Sequence, residues 1–259
     1  MAKNHIKRAL LFFILLNFFY ISYSQKPDST KVINYFGGGI TVTNNGISLI
    51  PTFSIDKPAV LFDLTAGRGK LSFEPQFRFS LEGKPWTFFF WWRYKLVNTS
   101  KLFIRVGVHE SLSYSTMPVE INGVSKETIT TQRYLAGEFT PNYFLTRNIS
   151  IGMYYLYSYG IDNEYVRNTH YCLLNLNISN IKLSDKFFLS YMPLIYYLRI
   201  NKNDGFNVTS TLNLARKNFP VFFSIFGNKT INSNVPGHKD FVWNASLIYS
   251  FKHNYVKAQ

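Results

Sequence analysis

Pro85-Trp86-Thr87-Phe88-Phe89-Phe90-Trp91-Trp92-Arg93-Tyr94-Lys95-Leu96-Val97 decides how the rest of the chain is read. Its even positions are Trp86, Phe88, Phe90, Trp92, Tyr94 and Leu96, all apolar or aromatic. Its odd positions mix Thr87, Phe89, Trp91 and Val97 with two charges, Arg93 and Lys95. A strand sends alternate side chains to opposite faces. One face of this strand therefore suits lipid and the other holds charge. A soluble protein would need a large core partner for the even face. A strand of a membrane barrel needs only lipid, with aromatics near the interfaces.

Working outward, the same alternation returns in segments of about ten residues, as barrel strands require. The segment Lys70–Leu81 sets Leu71, Phe73, Pro75, Phe77, Phe79 and Leu81 against Lys70, Ser72, Glu74, Gln76, Arg78 and Ser80. The last segment sets Phe241, Trp243, Ala245, Leu247, Tyr249 and Phe251 against Asn244, Ser246, Ser250 and Lys252. Counting from Ile47–Ile55 to Lys252 predicts about twelve strands, with ten or fourteen as alternatives. An even count suits a single-chain barrel. Residues 36–44 stand as a possible extra strand or an inward-folded segment, with Asn45-Gly46 a hairpin turn signal. Adjacent glycines Gly37, Gly38 and Gly39 fit close backbone approach better than a phosphate loop, since no Lys-Ser/Thr and no helix follow. Pro193, inside a strand apolar on both faces, implies a bulge. Connections near Gly67, Val97, Leu145, Leu183 and Arg216 are short. Those after Leu112 (a polar connection over 113–130), Tyr159 and Asn228 are long. This sorting of loop lengths fits an up-and-down barrel with two unlike ends and has no basis in a soluble β-sandwich, the main alternative fold.

Composition agrees. Of 259 residues, 18% are aromatic and only 16% charged, against a usual charged quarter. Mean hydropathy is nonetheless −0.05, because outward and inward residues alternate and cancel. The fold class expected is all-β, a transmembrane antiparallel up-and-down β-barrel.

The N-terminus reads as a secretory signal over residues 1–24. Lys3, Lys7 and Arg8 precede the apolar run Ala9–Ile21, and Ser22-Tyr23-Ser24 supplies small residues for cleavage before Gln25. Losing those three cations lowers the net charge from +14 to +11. Residues 25–46 read as a periplasmic leader running into the barrel, and 47–259 as the barrel. Cys172 is the single cysteine, which excludes an internal disulfide and a cysteine zinc site. The charge excess implies anionic solutes or anionic head groups rather than nucleic acid, given the export signal and the absence of a nucleic-acid motif.

The segment Asp240–Phe251 resembles the C-terminal β-signal of bacterial outer-membrane proteins, although residues 253–259 extend past Phe251. That resemblance implies insertion by the barrel assembly machinery. With Gly37-Gly38-Gly39-Ile40-Thr41, Gly83-Lys84-Pro85-Trp86 and the signal ending before Gln25, the chain is also similar to porin-like outer-membrane barrels of Bacteroidota. The resemblance implies outer-membrane location and contact with its lipid, and carries no catalytic motif.

Inward faces then gather Asp63, Lys70, Glu74, Arg78, Arg93, Lys95, Arg105 and His109 on four neighbouring strands. They form either a lumen wall selecting a small anionic or zwitterionic solute, or an ion-pair network filling a narrow barrel. Trp86, Phe88, Phe90, Trp92, Tyr94, Trp243, Tyr249 and Phe251 are the lipid-facing or aromatic-girdle candidates. His109 and Ser111 share a face, but no nucleophile-elbow pattern accompanies them. A membrane-embedded lipase or acyltransferase is therefore the lesser reading. No catalytic, cofactor or metal site is expected. The functions left open are a passive channel or transporter and a closed structural or adhesion barrel working through its outer loops, including the stretch 117–123.

Overall fold

Alternation of this kind folds by pairing each strand with the next. In the computed structural model, residues 33–256 are described except 122–123 and 163–165. The expected signal (1–24) and residues 25–32 of the expected leader therefore lie outside the described residues. Twelve strands close into one antiparallel barrel, each beside its neighbours in sequence, with β1 sealing against β12. They are β1 (Ile33–Thr43), β2 (Ala59–Arg68), β3 (Leu71–Ser80), β4 (Pro85–Asn98), β5 (Leu102–Ile121), β6 (Val124–Phe144), β7 (Ile149–Gly160), β8 (Asn168–Lys182), β9 (Phe187–Ile200), β10 (Asn203–Arg216), β11 (Val221–Ser233) and β12 (Phe241–Val256). Residues Asn34–Tyr255 form one compact unit.

The outer wall is apolar. Large side chains such as Trp92, Val108, Leu135, Leu174, Ile195, Phe206, Trp243 and Leu247 stand exposed around it. Ser, Thr, Asn, His and Glu side chains are buried inside. A closed sheet leaves no unpaired strand edge, and an apolar exterior running round it suits hydrocarbon. The fold is a transmembrane β-barrel. Its two ends differ. The β2–β3, β4–β5, β6–β7, β8–β9 and β10–β11 connections are tight and lie, with the start of β1 and the end of β12, at what we call the turn end. The other connections lie at the loop end.

Twelve strands are present, but not the same twelve that the pattern predicts. Residues 33–43, placed in the leader, are β1. The segment Ile47–Ile55, counted as the first strand, is instead part of a loop over 44–58 with a short 3-10 turn at Pro51–Phe53. The barrel thus begins at 33, not 47. The cause is visible in β1 itself. Its three glycines carry no side chain to show alternation, and the seam needs two of them bare. A Cβ on Gly37 would lie 2.8 Å from the Phe251 carbonyl oxygen, and one on Gly38 would collide with the Asp63 carbonyl oxygen. Pro51 and the serines around it interrupt the loop. Ser54 Oγ accepts from the Ser48 amide at 2.9 Å. Asn45-Gly46 makes no two-residue hairpin. The Gly46 amide donates to Lys57 O at 2.7 Å, and Ile55 N to Gly46 O at 3.0 Å, closing the loop at its base.

Three further expectations change. The polar connection over 113–130 is mostly sheet, because β5 and β6 continue past the wall as a hairpin of 20- and 21-residue strands. Pro193 makes no bulge on β10, where it faces Ser210 in unbroken register. The irregularity falls on the β8 side, between Ile178 and Ile181. Trp86 does not face lipid. The β3–β4 register shifts beside it, from Arg78↔Thr87 to Phe79↔Pro85. A bulge re-aims a side chain, and Trp86 turns inward to 3% exposure.

Candidate functional site: the lumen and its inward loop

The barrel interior divides by sequence into three sectors. Strands β3 to β6 carry charge. Strands β7 to β9 turn Leu156, Tyr171, Leu194, Tyr196, Leu198 and Ile200 inward, all buried. Strands β10 to β12 present Asn, Thr and Ser, paired across strands: Thr209 Oγ1 donates to Asn228 Oδ1 at 3.0 Å, and Thr230 Oγ1 to Asn207 Oδ1 at 2.9 Å.

In the charged sector the centre is Glu138, whose side chain is fully buried. Arg93 grips it with two bonds, Nε to Oε1 at 2.7 Å and a terminal nitrogen to Oε2 at 3.1 Å. The other terminal nitrogen of Arg93 reaches Glu74, which also accepts from Ser72 Oγ at 2.7 Å. Arg105 lies 3.4 Å from Glu138. Two cations and two anions thus neutralise one another across four strands. Lys95 Nζ, nearer the turn end, donates to the Tyr35 hydroxyl at 3.2 Å and lies over its ring.

Of the eight wall residues named from sequence, Glu74, Arg93 and Arg105 meet in this network. Asp63 and Arg78 lie beside it on β2 and β3 with no ion pair among the described residues. Lys70 sits exposed in the β2–β3 turn rather than in the wall. His109 is buried at 6% exposure, its ring 4.1 Å from that of Trp91 and 5.3 Å from that of Phe89. Glu138 was not among the eight. Its signal was present, since it falls on the polar face of β6, but only the register brings it to Arg93. Among the outward candidates, Trp92, Tyr94, Trp243 and Tyr249 are exposed on the outer wall. Phe88 and Phe90 pack there against Phe77, and Phe251 against Phe36. Ser111, like His109, is buried inside. Among the described residues His109 Nδ1 has no hydrogen-bond partner, and no carboxylate orients the ring as a nucleophile–base–acid arrangement requires. Among the described residues no three His, Cys, Asp or Glu side chains converge as a metal-binding group.

The loop over 44–58 enters the lumen from the loop end. Leu49, Ile50 and Phe53 pack against the buried core that includes Trp91, Tyr134, Leu156 and Tyr171. Phe53 meets Tyr134 edge-on at 5.3 Å. Its carbonyl accepts from the re-aimed Trp86 Nε1 at 2.6 Å. Two rim ion pairs tether the same loop, Asp56 with Lys239 at 2.7 Å and Lys57 with Glu82 at 3.4 Å. Beneath it lies a cavity of about 550 Å³, lined by Leu49, Ile50 and Phe53 above, Leu156, Leu173 and Leu194 on one side, and Arg78, Trp91 and Arg93 on the other.

No protein-family model matches the chain, and no curated protein resembles it in sequence. Solved structures do resemble it in shape. The KdgM porin superposes with a TM-score of 0.52 over 83% of this chain and 99% of its own, at 8% identity. The chain shares a fold with this porin. The LpxR structure from Salmonella typhimurium (0.47, 11% identity, 83% and 99% coverage) and the NanC porin (0.42, 12%, 87% and 100%) align more loosely. At such identities the likeness concerns the barrel alone.

Proposed function

We propose that the chain is an outer-membrane β-barrel that passes or takes up a small anionic or zwitterionic solute through its lumen. In this reading residues 1–24 direct export, the assembly machinery reads the last strand, and the outer wall sits in outer-membrane lipid. The loop end faces outward. One observation carries the reading: the lumen is roofed at the loop end by a tethered loop, not by the strand wall. Beyond its base, the loop is tied to the wall by the Trp86 bond, two rim ion pairs and the packing of Leu49, Ile50 and Phe53, and loops over a site are the elements that open on a short timescale. Below it, the Arg93–Glu74–Glu138–Arg105 layer sets the polarity of the passage.

Single-channel recording from the mature chain in planar bilayers tests this. Wild type should show brief, low-amplitude openings. Removing residues 48–54 should give steady current, and Arg93→Ala and Arg105→Ala should change its ion preference. Silence from the loop-deleted, demonstrably folded barrel would sink the channel reading.

A second reading draws on the β5–β6 hairpin. A strand needs roughly 9–11 residues to cross a bilayer, so about half of each 20- or 21-residue strand stands clear of it. A closed barrel presenting this hairpin to a surface partner would be silent in both forms.

A further inference from the structure

We infer that the lumen cavity is a binding site for an amphipathic carboxylate, its anionic head against Arg78 and its apolar body between the inward loop and the β7–β9 wall. The inference deepens the transport reading and rests on the lumen being the working site.

Arg78 is the odd cation of the interior. Arg93 and Arg105 are answered by carboxylates, and Lys95 by Tyr35. Arg78 has no ion pair among the described residues, although Asp63 lies inward on the adjoining strand. Its one hydrogen bond is a long one of 3.4 Å to Gln76 Oε1, and its Nε is covered without a partner. Asp63 acts on the guanidinium through space without touching it, and a covered guanidinium with no hydrogen-bonded anion is costly unless something supplies one.

Its position is nevertheless fixed. The guanidinium carbon lies 4.8 Å from the centre of the Phe89 ring and 5.5 Å from that of Trp86, within cation–π range of both. Trp86 is held in turn by its bond to the inward loop. The cation is therefore clamped in place at the cavity wall, ready for an anion without further ordering.

The remaining lining selects the rest of the ligand. Leu49, Ile50, Leu156, Leu173, Met192 and Leu194 offer hydrocarbon, which a sugar or a free phosphate would not fill. Three further covered polar atoms on the same lining have no hydrogen-bond partner among the described residues: His109 Nδ1, Tyr171 Oη and Thr140 Oγ1. Buried polar atoms are normally satisfied, so their gathering around one cavity points to a guest with polar atoms as well as an apolar body. The volume of about 550 Å³ lies in the range of small-molecule sites.

The test uses the mature chain in lipid nanodiscs, with octanoate and octanol as probes and saturation-transfer NMR as the readout. Octanoate should bind saturably and at least about tenfold more tightly than octanol, the preference expected of one charge-assisted bond. Arg78→Gln should reduce octanoate to the octanol level. Ser111→Phe, which fills the cavity while keeping the Arg78 side chain in the sequence, should abolish both. Equal binding of the two probes to wild type, or octanoate binding undiminished by Ser111→Phe, overturns the inference even if Arg78→Gln fails to fold. Conductance is read separately. A conducting barrel without octanoate preference loses only this inference, and a silent barrel with that preference loses only the channel.

Discussion

Arg93 and Glu138 form their two hydrogen bonds although their strands are not neighbours. Register places Arg93 opposite Gly107, and Gly107 opposite Glu138. The pair therefore reaches over β5, across two inter-strand spacings of just under 5 Å each. Gly107 makes the reach possible. A Cβ there would lie 3.0 Å from Arg93 Cγ and from both Cγ and Oε1 of Glu138.

Gly107→Val should consequently separate the pair. Glu138→Gln should do more harm, because it leaves Arg93 and Arg105 facing each other with only Glu74 between them. Breaking one side of a buried pair typically costs about 3–5 kcal/mol. Urea unfolding of the refolded barrel in lipid should show a loss of that order for Glu138→Gln. A loss under about 1 kcal/mol would mean that water already screens the layer.

Trp86→Phe keeps the ring but removes the donor to the Phe53 carbonyl. The expected cost is about 1 kcal/mol, confined to the inward loop. Amide exchange should quicken at Gly46 and Ile55, whose bonds close the loop, and stay unchanged in β8 and β9. Uniform acceleration across the barrel would show that Trp86 supports the wall rather than the loop.

At the loop end, Asp162 accepts from Arg133 three times: from Nε at 2.8 Å, a terminal nitrogen at 2.9 Å and the backbone amide at 3.1 Å. These bonds hold the Asp162 carboxyl below its ordinary range. An acid with a depressed folded pKa stabilises above its unfolded value and loses that contribution as pH falls through the folded one. The contact should thus persist at pH 5 and release only in stronger acid. The Arg133 Nε proton resonance reports it, and release near neutral pH would contradict the arrangement.

Gly38→Val tests the seam. With a Cβ driven into the Asp63 carbonyl, β1 cannot pair with β2 in its present register. The yield of folded, SDS-resistant barrel should collapse, while Gly83→Ala, strained by its φ of 83° but meeting nothing within 4 Å, should cost only about 1–2 kcal/mol and keep most of the yield. Equal yields would show that the seam tolerates side chains.

The sequence by itself determined the class of fold and the two unlike ends; its count of about twelve agrees with the structure only because Ile47–Ile55, counted in error, offsets the missed β1. Alternation over segments such as Lys70–Leu81 is a local property, because a strand sends each side chain to a face according to parity alone. Parity also placed Glu74, Arg78, Arg93 and Arg105 inward. It failed where a local rule is broken by a distant partner. Gly37 to Gly39 carry no alternation because β2 and β12 approach their backbone. Trp86 has the parity of the lipid face, yet a one-residue bulge against β3 turns it to the loop. The segment Ile47–Ile55 alternates like a strand, but no free edge remains for it once β1 has closed on β12, so Leu49, Ile50 and Phe53 pack against the lumen core instead. Glu138 could be put on an inward face but not beside Arg93, since that neighbour is two strands away and fixed by register. Which strand closes the barrel, what roofs the cavity and which arginine makes no contact ion pair among the described residues are relations between distant residues. Only the closed sheet, which assigns every edge a partner, could decide them.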